Sequence, residues 1–425
     1  MTIRRLLIRG GSVLTMDGRL TAFDDGYVAV RGDTIESVGN GSPASEPGTE
    51  VIDARGCAVL PGFVNAHTHL AMTLFRGIAD DVGLQDFLTK VVGEESRTLN
   101  PARIYAGATD ACRESILAGT TAALDMYWFP EQAARAGRPY GVTVAAGPAF
   151  ANFATPEKTS VDRKLEAAES WLSRGNGQGP QWLMPHSAYA LTRDHLNALG
   201  SLAQRYGARI HVHASENERE VDTVREMHGA SPIEVLADAG LLTDRTVVAH
   251  AVQLSDNDIR LLAEYGAYVA HCPWSNLKLA SGIAPVRALL DAGVRVCLGT
   301  DGAVSSNSLD LWSSIRLAAT LHKWRERNPA AVGAHDVLTM ATRVGAQALG
   351  LDERLGSLEP GKKATMQVVE LSGVHHAGVA DIWSAMTYSA RPGDVRDVIA
   401  DGVPIVRDHR LLQDDALLRH AESTS

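Results

Sequence analysis

Four short segments of the chain place metal-binding or proton-moving side chains directly after apolar runs. The first is Gly62-Phe63-Val64-Asn65-Ala66-His67-Thr68-His69. Side chains alternate along a strand, so His67 and His69 project to one face. Two imidazoles on one face can hold a divalent ion. The second is Ile210-His211-Val212-His213-Ala214-Ser215-Glu216. His213, at the strand end, is the better ligand candidate. His211 lies deeper and is expected to be packed and hydrogen-bonded. Glu216, three residues on, can reach a water held at a metal. The third, Val247-Val248-Ala249-His250-Ala251, offers a lone histidine that on its own reads as core. The fourth, Val296-Cys297-Leu298-Gly299-Thr300-Asp301-Gly302, ends an apolar strand on a carboxylate. Burying Asp301 without a partner is costly, so a metal or a shared proton is its expected companion.

These segments need a scaffold that brings strand ends to one place. From Pro61 to about residue 355, short apolar runs alternate with amphipathic stretches of ten to twenty residues. The predicted strands are Val142–Ala146, Gln181–Met184, Arg209–Val212, Thr246–Ala249, Tyr268–Ala270 and Val294–Leu298. Helices are predicted over Arg193–Tyr206, Asp256–Tyr265 and Ala284–Ala292. Repeated βα units of this kind predict an α/β fold, a TIM-type (β/α)8 barrel over residues 61–355, whose strand ends face one catalytic mouth.

Both ends of the chain read differently. Strands are predicted at Arg5–Arg9, Tyr27–Arg31, Thr34–Val38, Glu50–Asp53 and Ala58–Leu60, with Gly10-Gly11 and Gly32-Asp33 as turns. Beyond Gly356 the β texture returns at Ala364–Glu370, Val395–Ala400 and Val403–Val406. Residues 1–60 and 356–425 are therefore expected to join into one small β-sandwich domain.

Composition narrows the functional classes. With 425 residues, 45% of them hydrophobic and 5% aromatic, the chain is long enough for a large barrel plus an appendage. Its net charge of −10 argues against a nucleic-acid partner and favours a small-molecule substrate. The four cysteines, Cys57, Cys112, Cys272 and Cys297, form no CxxC pair, which argues against a thiolate metal site and for reduced, buried thiols. The apolar run near Met1 is too short for a signal peptide, and no apolar run reaches 18 residues, so no membrane span and a cytoplasmic location are expected.

Taken together and in order, PGFVNAHTHLAMTLFRG, HVHASE, AH, HCPWSNLKLASGIAPV and LGTDGAVSSNSLD resemble the amidohydrolase superfamily. The resemblance is to its branch of triazine chlorohydrolases, guanine deaminases and methylthioadenosine/S-adenosylhomocysteine deaminases, and it runs nearly end to end. It implies one divalent metal ion, zinc or alternatively iron(II), on His67, His69, His213 and Asp301. It further implies that Asp301 also accepts a proton from water, that Glu216 carries protons to the ring nitrogen beside the attacked carbon, and that His250 orients the water. On the binding side, His186 in Pro185-His186-Ser187-Ala188-Tyr189 matches a purine-contacting histidine, and Glu95, or Glu94 by one residue, matches a carboxylate that holds ribose hydroxyls. Trp128 and Phe129 are candidate aromatic walls, and Ser305 a further contact. A homo-oligomer is also expected.

There are departures from the family's pattern. Asp86-Phe87-Leu88 stands where a tryptophan is common after the acidic residue, and Gly147-Pro148-Ala149-Phe150 carries no arginine. The missing arginine weakens the case for S-adenosylhomocysteine and favours an uncharged nucleoside. The resulting expectation is a hydrolytic deaminase of an amino-substituted N-heterocycle, foremost an adenine nucleoside. A triazine-type hydrolase expelling chloride or an alkylamine, and a deaminase of a free base or pterin, are the alternatives. A non-catalytic scaffold is disfavoured by the intact ligand and acid–base positions.

Overall fold

A computed structural model describes residues 3–41, 43–174 and 179–412. The expected terminal unit therefore reaches beyond the described residues over 413–425. Five strands open the chain: β1 (Arg5–Leu14), β2 (Ala22–Arg31), β3 (Thr34–Asn40), β4 (Glu50–Asp53) and β5 (Cys57–Pro61). Nine follow in the middle: β6 (Phe63–Thr68), β7 (Thr120–Asp125), β8 (Thr143–Ala146), β9 (Ala149–Phe150), β10 (Trp182–Pro185), β11 (Arg209–Ala214), β12 (Thr246–His250), β13 (Tyr268–His271) and β14 (Arg295–Leu298). Four close the chain: β15 (Met366–Glu370), β16 (Val395–Ala400), β17 (Val403–Arg407) and β18 (Arg410–Leu411).

The first and last groups join into one nine-stranded sheet, ordered β18-β17-β16-β15-β5-β1-β2-β3, with β4 also beside β1. The two chain ends meet where β15 runs antiparallel to β5, Met366 opposite Pro61 and Glu370 opposite Cys57. Gly10-Gly11 is not the turn that was expected. β1 continues through it to Leu14, with a register shift on either side of Gly11. Gly10 has φ +84°, and a side chain on Gly11 would sit 2.5 Å from Ala54 O. The glycines thus make a bulge that bends one strand, so that β1 pairs β4 through Leu6–Arg9 and β5 through Ser12–Val13. Leu6, Ile8, Val28, Ile52, Met366, Val368 and Ile399 form this sheet's own apolar core.

The middle strands pair in parallel, β6-β7-β8 and β9-β10-β11-β12-β13-β14. β8 and β9 are halves of one stave broken at Gly147-Pro148. Proline offers no ladder donor, and a side chain on Gly147 would collide with Trp182 O. The ring closes between its last and first strands, where the N–H groups of Thr300 and Asp301 donate to His67 O at 3.1 and 3.0 Å. Counting the broken stave once, eight staves close the barrel. β10, β12 and β13 are buried along their whole length, as in a parallel sheet covered on both faces. The helix Arg193–Tyr206 shows why the covering elements form: Thr192 caps its first turn through His195 N, Gly207 ends it at φ +63°, and Leu196, Leu199 and Ala203 face inward.

Candidate active site

The barrel strands deliver His67, His213, His250 and Asp301 to one mouth, with His69 one residue past β6 and Glu216 two past β11. The chain leaves these strands through the left-handed region, at Ser215 with φ 57°, His250 at 72°, Ala251 at 48° and Asp301 at 61°. Non-glycine residues adopt this region only when the surroundings enforce it. The enforcement is visible. Glu220 accepts hydrogen bonds from the backbone N–H of Ser215 at 3.1 Å and of Glu216 at 2.6 Å. Asp301 Oδ1 accepts from Gly302 N at 2.6 Å, and Oδ2 from Ser275 Oγ at 2.6 Å.

Three imidazoles present the same nitrogen to the centre. His69 Nδ1–H donates to Met126 O at 2.5 Å and His213 Nδ1–H to His186 O at 2.8 Å. Carbonyls only accept, so both Nε2 atoms are bare, and they lie 3.3 Å apart. His67 Nε2 is buried without a hydrogen-bond partner. Asp301 Oδ1 stands 3.6 Å from His67 Nε2 and 3.3 Å from His69 Nε2. Ligand atoms of His67, His69 and His213 all lie within 4.8 Å of one another, as do those of His67, His250 and Asp301. Bare imidazole lone pairs facing each other and a carboxylate repel unless a cation sits among them. The donor set of three nitrogens and a carboxylate oxygen fits a divalent metal ion. Burial pushes the pKa of His67 down to about 4, which keeps the imidazole neutral and ready to bind. For Asp301, burial opposes ionisation, but His67, His69 and His250 outweigh it and hold the carboxyl well below its usual range.

Beside the cluster, His250 Nε2 faces Glu216 Oε2 at 3.9 Å, and its Nδ1 is 2.9 Å from Asn276 Oδ1. Burial raises the pKa of Glu216, an effect that His250 partly offsets and Asp301 reinforces. Burial lowers that of His250, but Glu216, Asp301 and Asn276 more than compensate, so it is raised overall. Both shifts favour a proton shared between the two groups.

His69, His213, Glu216, His250 and Asp301 line a cavity of about 720 Å³, its open mouth included. His186 lines it, 4.7 Å from His213 between ring centroids. Burial, then the neighbouring His69, His67 and His250, pushes its pKa down to about 3, so it is a neutral hydrogen-bonding group. Glu95, of which 4% is exposed, receives the Tyr127 hydroxyl at 2.5 Å and Trp128 Nε1 at 3.3 Å. Burial raises its pKa to about 7 against those two hydrogen bonds. Glu94, the alternative, pairs instead with Arg97 on the outside of the helix at 2.7 Å. Trp128 lines the cavity. Phe129 does not: it begins the helix Pro130–Gly137 and faces another surface cleft with Glu157 and Lys164. Its expected place as an aromatic wall is taken by Phe153, 6.3 Å from Trp128 in an edge contact. Ser305 is buried at the cavity and donates its hydroxyl to Gly302 O at 3.0 Å, which leaves it an acceptor towards the cavity. Met72, Phe87, Leu88, Val91, Val92 and Leu279 supply an apolar wall, and among the described residues no lysine or arginine lines the cavity.

Sequence reasoning passed over Glu220, Ser275 and Asn276. The last two lie in the quoted HCPWSNLKLASGIAPV stretch, but no spacing rule singles them out. Glu220 had one signal: a glutamate three residues after Asn217, which caps the helix Glu218–His228.

The sequence matches the amidohydrolase family over residues 58–405. The chain belongs to the amidohydrolase family. Among curated relatives of this family member is a 5-methylthioadenosine/S-adenosylhomocysteine deaminase of Syntrophobacter fumaroxidans, 40% identical over 412 residues, 96% of this chain and 94% of the relative. A 5'-deoxyadenosine deaminase of Methanosarcina acetivorans is 38% identical over 96% of this chain and 94% of its own. Among solved structures, an adenosine deaminase from Xanthomonas campestris with bound zinc superimposes with TM-score 0.92 at 32% identity, covering 98% of this chain and 97% of that one. This amidohydrolase is thus an enzyme of the hydrolytic deaminase type, and among its described residues no helix is long and apolar enough to cross a membrane.

Proposed function

We propose that this amidohydrolase is a zinc-dependent deaminase of adenine nucleosides with an uncharged 5′ end. The observation that carries the reading is one cavity lined both by the histidine cluster with Glu216 and by a second buried carboxyl group, Glu95. Glu216 stands at the histidine cluster, and Glu95 stands beside Trp128. The named relatives share an adenine nucleoside as the common part of their substrates. His67, His69, His213 and Asp301 would hold the metal. When bound, the ion supplies a Lewis acid that makes water nucleophilic near neutral pH.

The residues of the chain divide the remaining work. Asp301 takes a proton from the attacking water, and His250 orients that water. A C–O bond forms at the amino-bearing carbon while Glu216 protonates the adjacent ring nitrogen. Asp301 then passes the proton it took from water to the amino group, the C–N bond breaks as the new hydroxyl becomes a carbonyl, ammonia leaves, and the hydroxyl proton returns to Glu216. His186 offers a hydrogen bond to the purine, and Trp128 and Phe153 flank it. Glu95 accepts from ribose hydroxyls, a demand that a free triazine or pterin would not meet. The apolar wall of Phe87, Leu88, Val91 and Leu279 suits a methyl or methylthio group at the 5′ carbon. A zwitterionic amino-acid tail there would leave its charges without partners.

Ammonia release, followed with 5′-deoxyadenosine, methylthioadenosine, adenosine and S-adenosylhomocysteine, tests this. The first two should be turned over best, with S-adenosylhomocysteine at least roughly tenfold lower in kcat/KM, a difference of about 1.4 kcal/mol. Glu216→Gln should lower kcat by roughly 10²–10⁴-fold, and His67→Ala should abolish turnover in a folded chain. Release of chloride from chlorotriazines without ammonia from any nucleoside would overturn the reading.

A further inference from the structure

The geometry points to His211 as the residue that fixes which nitrogen His67 offers to the metal. This rests on the metal reading above. Two of the three inward histidines are oriented by backbone carbonyls, Met126 O for His69 and His186 O for His213. His67 has no such carbonyl. Its Nδ1 lies 2.8 Å from His211 Nε2, and His211 Nδ1 lies 2.9 Å from Val247 O.

The direction of this chain is forced. Val247 O only accepts, so His211 Nδ1 carries the proton. A neutral His211 then has a bare Nε2, which accepts from His67 Nδ1–H. His67 Nε2 is left bare, buried, unpartnered and aimed at Asp301. Without an acceptor on its far side, His67 would gain by moving its proton to Nε2, where Asp301 Oδ1 waits 3.6 Å away. That tautomer cannot bind a cation. His211 is fully buried, and its ring meets that of His67 at 69° with centroids 4.9 Å apart. Neither ring can turn away without breaking the chain to Val247. His211 is therefore a positioning residue acting through His67, not a ligand.

Replacements separate this role from packing. His211→Gln places Oε1 where Nε2 was and keeps the acceptor. His211→Asn can keep the link to Val247 O but has no atom reaching His67, and His211→Leu serves in its place if the asparagine variant does not fold. Zinc affinity, measured by chelator competition on the purified chains, should fall roughly 10–100-fold for the asparagine or leucine variant. It should stay within roughly threefold of wild type for glutamine. Thermal unfolding of the metal-free chains reports their folding independently. Equal losses in both variants would assign His211 to packing and overturn the proposal, as would unchanged affinity in both. A His67→Ala chain that binds zinc as tightly as wild type would instead overturn the metal reading itself.

Discussion

Glu95 combines burial in an apolar wall with a carboxyl that the proposed reaction needs ionised. Its pKa is pushed up to about 7 from an ordinary 4.5. Between those values the folded chain holds a proton that the unfolded chain has released. The unfolded state then binds fewer protons, so stability falls as pH rises through that window and stays lowered above it. Glu95→Gln removes this penalty. Its Tm should exceed that of wild type at pH 8, and the gain should shrink towards pH 4.5. The same substitution should raise KM for nucleosides about 10–100-fold, the worth of hydrogen bonds to a charged acceptor, while leaving free bases nearly unaffected. Wild-type KM should itself fall for nucleosides as pH rises through 7. A KM change shared equally by nucleosides and free bases would remove Glu95 from the ribose. That this residue, and not Glu94, faces the cavity is a matter of helix phase, which a one-residue shift in a sequence match cannot decide.

At the scale of elements, the turn between β16 and β17 shows how a local pattern holds a long-range joint. Asp401 and Gly402 both have positive φ, 47° and 75°, the geometry that suits an Asp-Gly hairpin turn. Gly402 N–H donates to Ala364 O at 2.9 Å, and a side chain on Gly402 would collide with Gly32 O from the other end of the chain. Gly402→Ala should therefore cost at least about 1–3 kcal/mol in a denaturant titration, with kcat per folded molecule unchanged. Asp401→Ala should cost less. An unaltered midpoint for Gly402→Ala would mean that this joint yields easily. The strands around it were readable, with Val395–Ala400 matching its prediction residue for residue. Gly10-Gly11 was misread because two glycines suit a turn and a bulge equally. Only the position of Ala54 against the strand selects the bulge.

For the molecule as a whole, we propose that residues 1–60 and 356–425 act as one unit beside a catalytic barrel of 61–355. The β5–β15 pairing and the shared apolar core of Ile8, Val28, Met366 and Ile399 support that division. Removing residues 1–56 should strip this core of half its cover and leave an aggregating chain in a sedimentation assay. A soluble, active truncated chain would count against the division. The metal adds a second global term, because an ion that binds the folded state more tightly than the unfolded one stabilises it. Stripping it with a chelator should lower Tm, and restoring it at roughly a thousand times its dissociation constant should return about 4 kcal/mol. A Tm that ignores both treatments would speak against the ion at the cluster.

By itself, the sequence determined the chemistry and the order of its carriers. Alternation along a strand is a local rule, so His67 with His69, and His213 before Glu216, could be read as strand-end groups facing one mouth. βα periodicity is local as well, and it implied the barrel that collects them. What the tertiary structure decided are pairings between distant segments, for which no local rule exists. His67 meets His211 across 144 residues, and Asp301 meets Ser275 across 26. Phe153 replaces Phe129 in the cavity because Phe129 adopts a left-handed conformation, φ 52°, at the start of a helix. The apolar wall, to which no lysine or arginine among the described residues contributes, is likewise assembled from segments that share only their place around the barrel mouth. Nitrogen choice, proton affinity and cavity shape depend on which groups pack together, and packing is set by the closed ring of strands.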